Sequence, residues 1–111
     1  MIKKFHIQIP LSLQDSFDLL SKSGNDIKSW QTIKSDFKNG YIMWKQFFWS
    51  LTGTAAITAI LTQTAEKETS VVIEIRKPLQ ILDPAKISNL VFHKLDRACK
   101  RNLISFQNNN R

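Results

Sequence analysis

Three side chains in this sequence could transfer a proton or attack a substrate near neutral pH: His6, His93 and Cys99. Their placement argues against each of them doing so. His6 stands between Lys4 and Gln8 on the polar parity of an alternating segment, the position of a solvated surface histidine rather than a catalytic base. His93 and Cys99 are six residues apart, which on a helix turning ~100° per residue places them on different faces. A Cys–His pair for covalent catalysis therefore cannot form within that helix. His93 could pair with Asp96 one turn on, but such helix-surface pairs contribute only ~0.2–0.5 kcal/mol and imply no function. Cys99 falls on the apolar side of the same segment, where it reads as a small buried hydrophobe.

No CxxC, HExxH or GxSxG spacing occurs, and three glycines leave no room for a phosphate-cradling loop. No metal or cofactor is expected, and non-covalent binding is preferred to catalysis. The basic residues are a second candidate. Lys86, Lys94, Arg97, Lys100 and Arg101 line the polar part of the last segment, Lys3 and Lys4 begin the chain, and the net charge is +7. Such a stripe is the footprint of a nucleic-acid binder. It is also what a solvated helix face looks like in a basic protein, and that reading is preferred. The aromatic residues sit in strand patterns rather than on an open stacking platform.

The elements that must position these residues follow from periodicity. Phe5, Ile7 and Ile9 alternate with Lys4, His6 and Gln8, a half-buried strand over Lys3–Ile9 that Pro10 ends. Ser12 can cap a following helix, with Asp15 three residues on. Leu13, Phe17 and Leu20 then share one face, and Gly24-Asn25 reads as a left-handed stop. Ile33, Ser35 and Phe37 alternate with Lys34, Asp36 and Lys38 up to Asn39-Gly40, a strong hairpin signal. The returning strand is apolar on both parities: Tyr41, Met43, Phe47 and Trp49 on one, Ile42, Trp44 and Phe48 on the other. After Gly53, Ala55, Ile57, Ala59 and Leu61 form one face of a strand. Val71, Ile73 and Ile75 form one face of the next, which Pro78 ends. Asp83-Pro84 opens a helix. Its apolar arc of Ile87, Val91, Leu95, Ala98 and Cys99 is widened by Phe92 and Leu103, and by Phe106 the helix is over roughly 30 Å long. Residues 107–111 read as a frayed polar tail.

A length of 111 residues fits one domain, and 42% hydrophobic with 23% charged residues fits an ordered fold. The apolar run Tyr41–Leu61 is broken by Lys45, Gln46 and recurring threonines, so it reads as two strands rather than a membrane span. With a single cysteine and no leader ahead of the first strand, a reducing, cytoplasmic setting is expected.

The expected fold is α+β: a curved antiparallel sheet of β-α-β4-α order holding a long C-terminal helix. The first strand into Pro10, the helix carrying Phe17 and Leu20, Trp30 entering the sheet, Gly40-Tyr41-Ile42-Met43-Trp44, the Thr54–Leu61 strand and the closing helix match a family. Over nearly its whole length the chain resembles the helix-grip superfamily of START domains, birch-pollen-type allergens and polyketide cyclases, as a short member spanning residues 1–106. The outline is also that of one half of the TATA-box-binding protein. The resemblance implies a binder or carrier of a small apolar or amphipathic molecule, held between sheet and helix, with Trp30, Tyr41, Met43, Trp44, Phe47 and Leu95 as walls. The alternative is an interaction module that engages a protein or nucleic acid through its sheet face or basic helix. Two apolar faces on one strand further predict a homodimer joined through Ile42, Trp44 or Phe48.

Overall fold

The computed structural model describes residues 2–47, 54–76 and 84–109. Their elements run β1 (Ile2–Ile9), α1 (Leu13–Asn25), β2 (Trp30–Asp36), β3 (Tyr41–Phe47), β4 (Thr54–Ala65), β5 (Glu68–Arg76) and α2 (Pro84–Asn109). This is the expected β-α-β4-α order. All four strand pairings are antiparallel, and the sheet order is β1-β5-β4-β3-β2. The first strand is carried across the sheet to its far edge, and the other four follow as a meander.

Ser12 caps α1 as its sequence position suggests, accepting the Asp15 backbone N–H at 3.3 Å. The start of α1 is fixed to β5 through one carbonyl. The Leu11 oxygen accepts from Thr69 Oγ1 at 3.0 Å and from Ser16 Oγ at 3.3 Å, so both buried hydroxyls are satisfied. From there α1 lies over the end of the sheet that carries the β2–β3 and β4–β5 turns. Phe17 packs edge-on against Phe37 of the first turn, with ring centroids 5.2 Å apart.

The helix does not stop at Gly24 by a left-handed turn. Both Gly24 and Asn25 are helical, and the C-cap is Asp26 at φ −74°. What Gly24 provides is clearance. A Cβ there would come to 2.8 Å of Trp44 Cζ2 and closer still to Nε1 and Cε2. Among the described glycines, Gly40 is the one at positive φ, 71°. Its carbonyl accepts from Leu61 N at 2.8 Å, and a Cβ would lie 3.0 Å from the Leu61 oxygen. The turn before it is held by Asp36, whose carboxylate accepts from the Asn39 side chain at 2.8 Å and from its backbone N–H at 3.1 Å. These two bonds hold the Asp36 carboxyl below its ordinary pKa, the side-chain bond first.

One sheet face is the core. It carries Ile9 of β1, Val71, Ile73 and Ile75 of β5, Ala55, Ile57, Ala59 and Leu61 of β4, and Ile42 and Trp44 of β3. Across it runs α2, presenting Val91, Leu95, Ala98 and Cys99, all buried. The rings of Phe5 and Phe92 stack at 4.3 Å and 5° where the helix passes the β1 edge. Helix α2 continues to Asn109, so residues 107–109, expected as part of the tail, extend it. Asp83 and the Ile87 side chain lie outside the described residues.

Two readings from periodicity change. Ile33, expected on the inward parity, is 53% exposed because the pairing of β2 with β3 shifts between Thr32 and Lys34. An extra residue at such a bulge is left out of the ladder and its side chain is re-aimed. The strand β3, expected to join a second copy through Ile42, Trp44 or Phe48, turns Ile42 and Trp44 into the core at 0% and 1% exposure. Neither is available to a partner, and Phe48 lies outside the described residues. The outer face of β3 is instead formed by Tyr41 and Met43. A strand apolar on both parities does not say which parity meets the helices.

Candidate functional site

The richest chemistry on the inner face lies where β2 and β3 pair. Trp30 opposes Gln46, and Thr32 opposes Trp44. The buried Trp30 indole N–H donates to Gln46 Oε1, so a buried amide oxygen and a buried N–H satisfy each other. The two indoles lie 5.4 Å apart at 45°. Trp44 reaches the end of α1 at Gly24, and its Nε1 has no hydrogen-bond partner among the described residues. On the neighbouring strand Ala55 lies opposite Gln46 and Ala59 lies between Ile57 and Leu61, two small residues in that row, and Leu95 of α2 faces the same core. The result is an aromatic corner with one amide, in otherwise aliphatic surroundings. Side chains of these types offer a flat apolar group contact area; in this structure they pack against one another in the core at 0–7% exposure.

The expected wall residues are divided between the two sheet faces. Trp30, Trp44 and Leu95 come together in the inner core. Tyr41 and Met43 are half-buried on the outer face, where with Asn39, Ala56, Thr58, Ile60, Glu74 and Arg76 they line a groove of about 550 Å³. The Phe47 side chain lies outside the described residues. On the outer face the Lys34 ammonium sits 5.6 Å from the Tyr41 ring centroid, and its bond to the Tyr41 hydroxyl raises its pKa.

Gln46 was missed as a candidate. Its parity with Ile42 and Trp44 placed a lone amide on an apolar row, which was the one signal available. Helix α2 holds a second set of unflagged residues. Asn102 Nδ2 donates to Ser23 Oγ at 3.1 Å and to Asp26 Oδ2 at 3.0 Å, and Ser23 Oγ donates to the Leu19 carbonyl at 2.7 Å. These bonds fasten the last turns of α2 to the end of α1. Nothing local marks Asn102 for this role, since its partners are more than seventy positions away.

The nucleophile candidates stay apart. His6 and His93 are exposed, and His93 lies beside Phe92 rather than Asp96. Asp96 pairs with Lys100 at 3.0 Å. Cys99 is buried, and burial pushes its thiol up to about 11, so the thiolate is scarce at neutral pH. No group of three or more potential metal ligands occurs among the described residues, and none of the described helices is long and apolar enough to cross a membrane.

No family model matches the chain, and neither does any curated protein sequence. Solved structures do resemble it. An uncharacterised protein of Bacillus thuringiensis superposes with a TM-score of 0.68 at 8% identity, over 94% of this chain and 99% of that one. A START superfamily protein of Mycobacterium smegmatis gives 0.61 at 8% identity, over 95% and 98%. A Streptomyces aromatase/cyclase gives 0.56 at 8% identity, over 93% and 88%. In a di-domain aromatase/cyclase the match has a TM-score of 0.66 at 11% identity, and it spans 46% of that longer chain. At these identities the likeness is one of fold.

Proposed function

We propose that this helix-grip chain binds a small apolar or amphipathic molecule between the inner sheet face and α2, non-covalently, as a binder or carrier. The observation that carries this reading is the aromatic corner of Trp30 and Trp44 with the buried Gln46 amide beside it. The walls are Trp30, Trp44 and Leu95, with the Trp30–Gln46 pair beside them. The likeness to structures named as START and aromatase/cyclase proteins supports a small-molecule role for the fold. A buried neutral thiol and exposed histidines offer no covalent route, and a reducing, cytoplasmic setting suits the single cysteine.

The test is native mass spectrometry of the purified protein, joined to titration with an environment-sensitive apolar probe. Retention of a small molecule, or probe uptake that Trp44→Leu weakens tenfold or more, is expected, since a large buried side chain contributes ~1.5–3 kcal/mol of apolar contact. A stable wild-type protein with only its bare mass and no probe uptake would refute the reading.

The outer face favours a second reading, a homodimer. Tyr41, Met43 and the 38% exposed Ile60 line its groove, with Glu74 and Arg76 at the same place. A two-fold axis there could bring apolar surfaces together and set each Glu74 against a partner copy's arginine. Light scattering should then report a dimer that Ile60→Lys dissociates, and a concentration-independent monomer would dismiss it.

A further inference from the structure

The binding reading leaves the outward face of α2 unused. Ten described residues of α2 are exposed, and five of them form one row along its outward face: Leu90, Lys94, Arg97, Arg101 and Ile104. They follow one another at spacings of four, three, four and three, so at ~100° per residue they lie within roughly 80° of arc. That arc is turned away from the buried row of Ser88, Val91, Leu95 and Asn102. The only acid on the helix, Asp96, is off the arc and already paired to Lys100. Three cations therefore form a ridge bracketed by two aliphatic side chains, Leu90 at 57% and Ile104 at 62% exposure, about 21 Å apart along the axis.

We infer that this ridge docks the protein on an anionic lipid surface. Exposed aliphatic side chains occur singly on ordinary surfaces, but here two of them bracket a cationic row on one helix face. On a bilayer the two kinds of residue act together. Lys94, Arg97 and Arg101 meet acidic headgroups, while Leu90 and Ile104 enter the headgroup–acyl boundary. The occupant favoured by these side chains is lipid rather than nucleic acid. Aliphatic tips gain nothing against phosphates, and no aromatic side chain stands among the five to stack on a base. The helix is held to the body by the Asn102 bonds to Ser23 and Asp26, so it presents the ridge without unfolding. The inference does not depend on an interior ligand.

The test is co-sedimentation of the full chain with vesicles of phosphatidylcholine, with and without phosphatidylserine. Binding is expected only to the anionic vesicles, and it should weaken with salt. The triple variant Lys94→Gln, Arg97→Gln, Arg101→Gln should bind about 100-fold more weakly, because each cation near such a surface is worth ~1 kcal/mol. The double variant Leu90→Ser, Ile104→Ser should also bind more weakly while keeping the salt dependence. Should either variant fail to melt like wild type, the single exposed change Arg97→Glu takes its place and must weaken binding. Equal affinity for neutral and anionic vesicles, no vesicle binding, or no effect of the aliphatic changes would overturn the inference. So would tight, salt-sensitive binding of an RNA or DNA oligomer that the Gln variant loses while vesicles are ignored. Apolar-probe uptake separates this from the interior site: the triple Gln variant should retain it whether or not vesicles bind.

Discussion

Gly24→Ala offers a sharp check on the packing of α1 against the sheet. In an ordinary helix interior this change is favourable by about 0.5–1 kcal/mol, because alanine loses less backbone entropy. Here the added methyl would meet the Trp44 indole, with Cζ2 at 2.8 Å and two further ring atoms closer. The ring cannot simply swing aside, since the Trp30 indole lies beside it at 5.4 Å between centroids. Overpacking of this kind costs about 1–3 kcal/mol. After the helix-propensity gain is subtracted, a net loss of up to about 2.5 kcal/mol remains. For a domain of this size that is a fall of up to roughly 20 °C in Tm. A double-mutant cycle identifies the cause. In a Trp44→Leu background the indole is gone, and Gly24→Ala should become neutral or stabilising, with a coupling of about 1–3 kcal/mol. Thermal melts of the four proteins by circular dichroism supply the numbers. If Gly24→Ala stabilises the wild type, or costs the same in both backgrounds, the close approach of α1 to β3 is wrong.

Leu95 is fully buried midway along α2, so Leu95→Ala should cost about 2–5 kcal/mol in chemical denaturation, and Leu95→Asp should prevent folding. Gly40→Ala should cost about 1–2 kcal/mol by the same assay, since a side chain at φ 71° is strained and its Cβ would crowd the Leu61 carbonyl. Cys99 makes stability depend on pH. Burial, chiefly, raises its thiol from 9.0 to about 11, so above pH 9 the unfolded chain releases this proton while the folded one retains it. Its contribution, about 2–3 kcal/mol, is complete below pH 9 and is lost as pH rises through 11. The difference in stability between wild type and Cys99→Ala should therefore shrink over that window. A constant difference would show that the thiol is not buried in the folded state.

Much of the fold was legible because it is written in local periodicity. Val71, Ile73 and Ile75 alternate with exposed or half-buried neighbours, and Ser12 caps α1. Val91, Leu95, Ala98 and Cys99 repeat at helical spacing. The candidate site was legible only in part. Trp30, Trp44 and Leu95 could be named as large apolar residues on elements that must pack together. Tyr41 and Met43 could not be separated from them, because alternation along β3 is apolar on both parities.

By itself, the sequence determined the order of elements, the hairpin at Gly40 and the cationic outer row of α2. Each depends on neighbours within a turn or a strand length, where backbone geometry and side-chain period suffice. Tertiary structure decided which side of β3 meets the helices, that Ile33 is turned out at a bulge, and that Gly24 is small for the sake of Trp44. It also decided that Gln46 answers Trp30 and that Asn102 answers Ser23 and Asp26. These depend on contacts between residues remote in the chain. A buried polar side chain is stable only when its partner arrives from another element, and only the folded chain brings that partner within reach.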